Sequence, residues 1–204
     1  MALRDDGGQR DQEAGRQAGW VKVPVRLLVE DGPYRGLSRA DVERRARAML
    51  DAVQMRDFEL SIVLTGDDQI KKLNRIYCEK NRPTDVLAFS QREGEFVHGA
   101  GRLLGDVVLS VPTARRQAEA RGRDLVSELT MLLAHGLLHL LGWDHETAEK
   151  DRRMRRETDR LCAAADAAVL APRPQQAVRR PVKGRTRPAG NADLAPRRPS
   201  HKPR

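Results

Sequence analysis

The apolar segment at residues 124–142, DLVSELTMLLAHGLLHLLG, constrains the fold more than any other stretch of this 204-residue chain. Apolar side chains surround its helical axis almost completely, which is typical of a helix that is buried on all sides. Such a helix needs other elements to cover it. The segment therefore predicts a central buried helix around which one domain packs.

The rest of the chain predicts a mixture of strands and further helices. Segments rich in Val, Leu and Ile predict strands at 20–30, 58–66, 83–90 and 103–111. Helical spacing and start signals, including Ser38 as an N-cap and Pro112 in a first turn, predict helices at 39–55, 67–81, 112–122 and 146–168. Together they predict the α+β class: a single domain with a small mixed sheet covered by helices, and a central helix that carries the metal motif described below.

Composition separates a folded domain from two polar ends. Residues 1–19 are Gly, Gln and charged residues without periodicity, so they predict a flexible leader before a domain at 20–168. Residues 171–204 hold ten basic residues, one acid and seven of the 11 prolines, whereas the remainder of the chain is formally neutral. This predicts a disordered, basic, Pro-rich tail at 169–204. Such a tail favours salt-sensitive attraction to phosphate backbones, the alternative being a solubilising tail without a specific partner.

Two cysteines, Cys78 and Cys162, are too few for a disulfide framework. No apolar run approaches the roughly 20 residues that span a bilayer, and the first residues lack the apolar core of a secretion signal. We therefore expect a cytoplasmic protein without a membrane partner. The sequence leaves the oligomeric state open.

Three of the five histidines lie at regular offsets in HGLLHLLGWDH, residues 135–145. His135 and His139 are four residues apart and share one face of the predicted helix. Gly142 can take the left-handed conformation that ends a helix, which would bring His145 back toward the first two. Three imidazoles from one short segment predict a metal site.

Zinc in catalytic sites commonly takes three protein ligands and leaves a fourth position open. The predicted cofactor is therefore one zinc ion, with nickel or another ion that prefers imidazole as the alternative. Asp144 is a candidate for orienting a histidine or a water beside the metal. His98 and His201 have no comparable neighbourhood, and we assign them no ligand role.

The spacing H-x3-H-x2-G-x2-H also occurs in metzincin proteases, where a glutamate follows the first histidine. Gly136 occupies that position here. Peptide hydrolysis at such a site needs the carboxylate as a general base, so a zinc metallopeptidase is disfavoured. Glu128 and Glu146 are near in sequence, but spacing alone does not bring either of them to the metal.

Segment 135–145 resembles the hallmark of the YbeY family of metal-dependent endoribonucleases, also called rRNA maturation factors. That hallmark is H-G-x-L-H-L-x-G-x-D-H, and every fixed position is matched. Two further blocks occur in the family's order: LNRIYCEKNRPTDVLAFS resembles L-N-x-x-Y-R-x-K-x-x-P-T-D-V-L-S-F, and LLGDVVLS resembles L-G-D-I-x-I-S. The resemblance covers roughly residues 20–165.

This resemblance implies a single α+β domain with zinc held by His135, His139 and His145. It implies cleavage of single-stranded RNA, processing of the 3′ end of small-subunit ribosomal RNA and a part in ribosome quality control. The implied partners are ribosomal RNA and the small ribosomal subunit.

One position departs from the family pattern, because Cys78 stands where the family usually has an arginine. A thiol cannot supply the charged, bidentate fork of a guanidinium. Lys80 and Arg82 are the candidates for phosphate contacts in its place, followed by Arg75. The alternatives are a ribosome-assembly factor with a mainly structural zinc and weakened catalysis, and Cys78 as a fourth ligand that closes the site.

Two acids in the other blocks have structural interpretations. Asp85, with Thr84 before it, is expected to tie down the turn that enters a strand and to support the wall of the site. Asp106 lies within an apolar strand, so we expect it to be either exposed at a sheet edge or paired.

Overall fold

The structure is a computed structural model, and it describes residues 25–92 and 102–171. These residues form four strands and five helices, which are interspersed along the chain. The elements are β1 (Val25–Val29), α1 (Arg39–Ala52), β2 (Glu59–Thr65), α2 (Asp67–Cys78), β3 (Val86–Ser90), β4 (Leu103–Ser110), α3 (Val111–Ala120), α4 (Leu125–Leu140) and α5 (Ala148–Leu170).

The four strands form one mixed sheet in the order β1-β2-β4-β3. β1, β2 and β4 run parallel, since helices lie in the connections between them, and β3 pairs antiparallel with β4 at one edge. A small mixed sheet packed with helices confirms the predicted α+β class.

Helix α4 is the centre of the domain. All of its leucines except Leu125 are buried, it contacts β3 and β4, and the helices α1, α3 and α5 pack against it. The Asp124 carboxylate caps its first turn by accepting from the Ser127 N–H at 2.9 Å. The prediction of a buried central helix is confirmed.

The predicted elements occur with trimmed ends. Ser38 caps α1 by accepting from the Asp41 N–H, and Pro112 lies in the first turn of α3, both as predicted. β3 begins at Val86 rather than at residue 83, because Asp85 folds back to accept from the Val86 N–H at 2.9 Å. Helix α5 continues to Leu170, two residues past the predicted end of the domain.

Several sequence-based predictions fall outside the described residues. These are the leader at 1–19, the start of the first strand at 20–24, the loop part at 93–101 with His98, and the tail from 172 onward with His201. Among the helices that the structure describes, none combines the length and the apolar character needed to cross a membrane.

The position of Asp106 differs from both expected alternatives. Its strand lies between β2 and β3, so the residue is central in the sheet and half-buried. Within residues 25–92 and 102–171, no cation forms a salt bridge with its carboxylate.

Candidate metal centre

The end of α4 sets the geometry of the histidine segment. Gly142 has φ +80°, a left-handed conformation that glycine adopts without steric cost. The Gly142 N–H donates to the His139 carbonyl at 2.9 Å, and the Trp143 backbone N–H donates to the Leu138 carbonyl at 3.0 Å. This pair of bonds is the Schellman motif. The predicted helix end at Gly142 is confirmed, and the chain reverses there toward the face of α4 that carries the histidines.

The three histidines converge after this turn. One ligand atom from each of His135, His139 and His145 lies within 4.8 Å of the other two. The Nε2 atoms of His135 and His139 are 3.1 Å apart. Two nitrogens that each lie 2.0–2.1 Å from a tetrahedral zinc ion are about 3.4 Å apart, so this spacing fits ligation of one ion. The trio is half-buried at its two helical members and exposed at His145.

The two helical histidines are held in the neutral form that ligates metals. Burial away from water is the largest cause, followed by repulsion from the other two imidazoles, and together these lower the pKa of His135 to about 4. Burial and the neighbouring His145 also lower the pKa of His139, against a smaller opposing effect of a backbone hydrogen bond with Trp143. Neither imidazole needs to lose a proton at neutral pH before it binds a cation.

No cysteine or carboxylate belongs to this cluster in the part of the chain that the structure describes. Cys78 is exposed at the last residue of α2 and is not part of the trio. The donor set is therefore three imidazoles. Three protein ligands are typical of catalytic zinc sites, whereas structural sites usually have four.

Gly136 faces the sheet rather than the metal. A Cβ atom at this position would lie 2.7 Å from Cγ1 of Val107 and 3.2 Å from Cγ2 of Val86. Real Cβ atoms essentially never lie 2.7 Å from another carbon, so a side chain here would require Val107 or the backbone of α4 to shift. The glutamate of metalloproteases would not fit at this position without such a shift, which gives the glycine a packing reason and argues against a metallopeptidase.

Asp85 is the residue near the site that sequence reasoning undervalued. Its negative charge acts on His135, where it opposes the lowering of the pKa. Its carboxylate accepts from Gln117 at 3.0 Å and from the Val86 N–H at 2.9 Å, so its orientation is fixed. The turn predicted from Thr84 and Asp85 is present, but only the fold shows that the charge of Asp85 acts on His135. An acid directly before an apolar strand was the available signal.

The other acids near the motif are engaged elsewhere. Asp144 accepts from Lys150 Nζ at 2.8 Å and from the Glu146 N–H at 3.2 Å, so its role in orienting a histidine stays a prediction. Glu128 is fully buried and forms an ion pair with Arg121. Neither Glu128 nor Glu146 joins the histidine cluster.

Lys80 and Arg82 lie in an exposed connection that the buried Asn74 holds in place. The Lys80 N–H donates to the Asn74 carbonyl at 3.2 Å, and Asn74 Nδ2 donates to the Arg82 carbonyl at 2.8 Å. The backbone is thus fixed, while both cationic side chains are exposed and have no salt bridge with a described acid. Their contact with phosphate stays a prediction. The role of Asn74 could not be read from helical spacing.

Comparison with known proteins gives one consistent family. The family model described as Endoribonuclease YbeY matches residues 34–166. Endoribonuclease YbeY of Anaeromyxobacter sp. (strain Fw109-5) is 45% identical over 142 residues, which are 70% of this chain and 72% of the relative. Endoribonuclease YbeY of Aquifex aeolicus (strain VF5) is 41% identical over 125 residues, covering 61% of this chain and 81% of the relative.

A solved structure shows the same fold. The solution structure of TM1509 from Thermotoga maritima matches with a TM-score of 0.50, covering 70% of this chain and 89% of that one. The two sequences are 24% identical, so this likeness supports the fold alone.

Proposed function

Because this chain belongs to the YbeY family of endoribonucleases, we propose that it cleaves single-stranded RNA at a zinc ion held by His135, His139 and His145. We further propose that its substrate is ribosomal RNA, with the 3′ end of the small-subunit RNA as the processed site. A part in ribosome quality control and binding to the small ribosomal subunit belong to the same proposal. The predicted cytoplasmic location is compatible with this substrate.

One observation supports the metal-dependent part of this proposal above all others. The three imidazoles converge within 4.8 Å, and no described cysteine or carboxylate completes a fourth position. An open position beside three imidazole ligands is what a hydrolytic zinc site requires.

A bound zinc ion would supply Lewis acidity, which favours ionisation of water near neutral pH and neutralises charge on a phosphoryl oxygen. The residues of the chain would hold the substrate. Lys80 and Arg82, fixed at their backbones, present cations that can bind phosphate oxygens. Asp85, held by Gln117 and its own turn, carries a negative charge that acts on His135 and favours donation from this imidazole.

Cleavage of a single-stranded RNA oligonucleotide by purified, metal-loaded protein tests the proposal. The parent should cut the RNA, and His139→Ala should lose at least about 100-fold in kcat/KM because one metal ligand is missing. His98→Ala is the matched control, since no ligand role is assigned to it. Equal activity of the parent and His139→Ala would contradict the proposal.

The chemistry of the cut is a second readout of the same experiment. Attack by water leaves an ordinary terminal phosphate, whereas attack by the 2′-hydroxyl leaves a 2′,3′-cyclic phosphate. End-group analysis of the product therefore separates the two routes. A peptide library assay run in parallel tests the disfavoured metallopeptidase, for which we expect no turnover.

The second candidate function is a ribosome-assembly factor with weakened catalysis, and Cys78 is the observation that favours it. This thiol stands at the family's arginine position and is exposed at the end of α2. If catalysis is attenuated by the missing guanidinium, Cys78→Arg should raise the cleavage rate by about tenfold or more. Cys78→Ser is the matched control. No change in Cys78→Arg would argue against attenuation at this position.

A further inference from the structure

The connection between α4 and α5 holds a tryptophan close in sequence to the candidate metal ligands. Trp143 precedes His145 by two residues, and its backbone N–H donates to the Leu138 carbonyl at 3.0 Å. The indole is half-buried and packs in part against the hydrophobic core. The Schellman turn and this packing therefore fix the ring in the segment that also carries His145.

A guanidinium covers one face of this indole. Arg153 Cζ lies 4.7 Å from the centroid of the Trp143 ring. Arg153 itself is exposed and takes part in no salt bridge with a described acid, and Asp151 and Glu157 on α5 are paired with other arginines. In the described part of the chain, Arg153 thus presents a planar cation that is stacked on an aromatic ring and shared with no carboxylate.

A cavity of about 260 Å³ opens beside this stack. It is smaller than the cavities of about 300–1,000 Å³ that hold drug-sized ligands. Lys150 reaches its rim and is held there by Asp144 at 2.8 Å. The lining residues are Leu141, Gly142, Trp143, Asp144, Lys150 and Arg153.

We propose that Trp143, Arg153 and Lys150 form a binding site for one unpaired nucleobase of the RNA and its adjoining phosphate. This inference rests on the proposed function and adds residues that position its substrate. The base would stack on the exposed face of the guanidinium–indole pair, and Lys150 would exchange Asp144 for the phosphate. Aromatic rings and arginine planes are the surfaces on which proteins stack unpaired RNA bases.

The site would also contribute to the choice of substrate. A base within a duplex is already stacked between its neighbours and cannot present a free face. An unpaired base can do so, and its capture two residues from His145 would hold the strand across the metal centre. Preference for single-stranded RNA would then come from stacking, because attraction between charges alone does not favour a single strand over a duplex.

Binding of a short fluorescent single-stranded RNA to the metal-free full chain tests this site without cleavage. Arg153→Ala and Arg153→Lys should each weaken binding by about fivefold or more, because lysine keeps the charge but lacks the plane. Arg152→Ala removes the same charge from the adjacent exposed position, and it should change affinity by less than about twofold. Full affinity in Arg153→Lys, or equal losses in Arg152→Ala and Arg153→Ala, would overturn the proposal.

RNA lacking one base separates stacking from charge. An abasic substitution at the stacked position should weaken binding to the parent about as much as Arg153→Ala does. Binding of the same abasic RNA to the Arg153→Ala variant should be no weaker than binding of the intact RNA to that variant. Trp143→Phe should retain most of the affinity for RNA, because it keeps an aromatic ring. Trp143→Ala should lose this affinity, although its circular dichroism spectrum should be the same as that of the parent. Abasic substitutions without effect at any position would contradict a base-stacking site.

Cleavage by the metal-loaded parent distinguishes this inference from the proposed function. If the parent cleaves RNA but neither Arg153 nor any base affects binding, the stacking site is wrong and the proposed function stands. If RNA binding depends on Arg153 and on one base, but the metal-loaded parent cuts no RNA, the stacking site stands and the proposed function is wrong.

Discussion

Gly136 shows at the scale of a single residue how packing excludes one chemistry and permits another. It lies between His135 and His139 in sequence, yet its Cα faces Val107 and Val86 of the sheet. A larger residue would crowd these two valines and disturb the close approach of α4 to β3 and β4. The candidate metal centre therefore depends on a position that faces away from it.

We expect Gly136→Ala to destabilise the fold by about 1–2 kcal/mol, since overpacking outweighs the gain in helix propensity. At an unhindered helical position the same change would stabilise by about 1 kcal/mol. Urea unfolding of the metal-free chain measures the sign. Val107→Ala makes room for the new methyl group, so the double variant should be more stable than the sum of the two single changes predicts. A stabilised Gly136→Ala variant would contradict the packing described above.

At the scale of secondary-structure elements, side chains at the first turns of helices hold neighbouring helices together. Asp67 opens α2 and accepts from Thr113 Oγ1 at 2.7 Å and from Arg116 at 2.8 Å, so it joins α2 to α3. It also accepts from Ser110, the N-cap of α3. Burial alone would raise the pKa of Asp67, but the hydrogen bonds from Ser110, Thr113 and Arg116 lower it below its usual value of 3.8.

Asp67→Asn should lower the free energy of unfolding by about 1 kcal/mol at pH 7, an amount discounted for partial exposure. A lowered folded-state pKa means that the charged form stabilises the fold above the unfolded-state value of 3.8. This contribution should therefore disappear as the pH falls through 3.8 and below. Urea unfolding at pH 7 and at pH 3 measures the difference between variant and parent. Asp68→Asn, at the exposed neighbouring position, should have little effect at either pH.

At this scale the sequence predicted which strands and helices are present. It predicted less well the residues at which they end and the contacts that they make with one another. Apolar periodicity found every strand and helix of the described residues, because burial imposes it locally. The start of β3 was misplaced since Asp85 uses its side chain to bond the next N–H, a choice that periodicity does not reveal. The convergence of the three histidines was predictable because one turn brings them together. The effect of Asp85 on His135 was not, because it depends on elements that are distant in sequence. The Trp143–Arg153 stack was not predictable either, because it depends on how α5 lies against the turn that precedes it.

The distribution of charge is the main feature at the scale of the whole molecule. The net charge of +9 resides in residues 171–204, which begin at the last described residue, whereas the rest of the chain is neutral. Attraction to RNA through this segment would be separate from chemistry at the metal centre.

Truncation after Leu170 should flatten the dependence of RNA affinity on salt and leave bound metal unchanged. For each phosphate of a single strand that the truncated chain no longer neutralises, the slope of log K against log salt should become shallower by about 0.7. RNA binding measured between 50 and 200 mM salt, for the full and the truncated chain, gives the two slopes. Identical slopes would favour the alternative of a solubilising tail without an RNA contact.

The metal content of the chain purified without added metal tests the central claim most directly. The parent should hold about one zinc ion per chain, as three converging imidazoles predict. His145→Ala should lose it, although this residue lies outside α4 and is exposed, whereas His201→Ala should retain it. A parent free of metal, or a His145→Ala variant that keeps as much zinc as the parent, would contradict the claim that the turn at Gly142 completes a metal site.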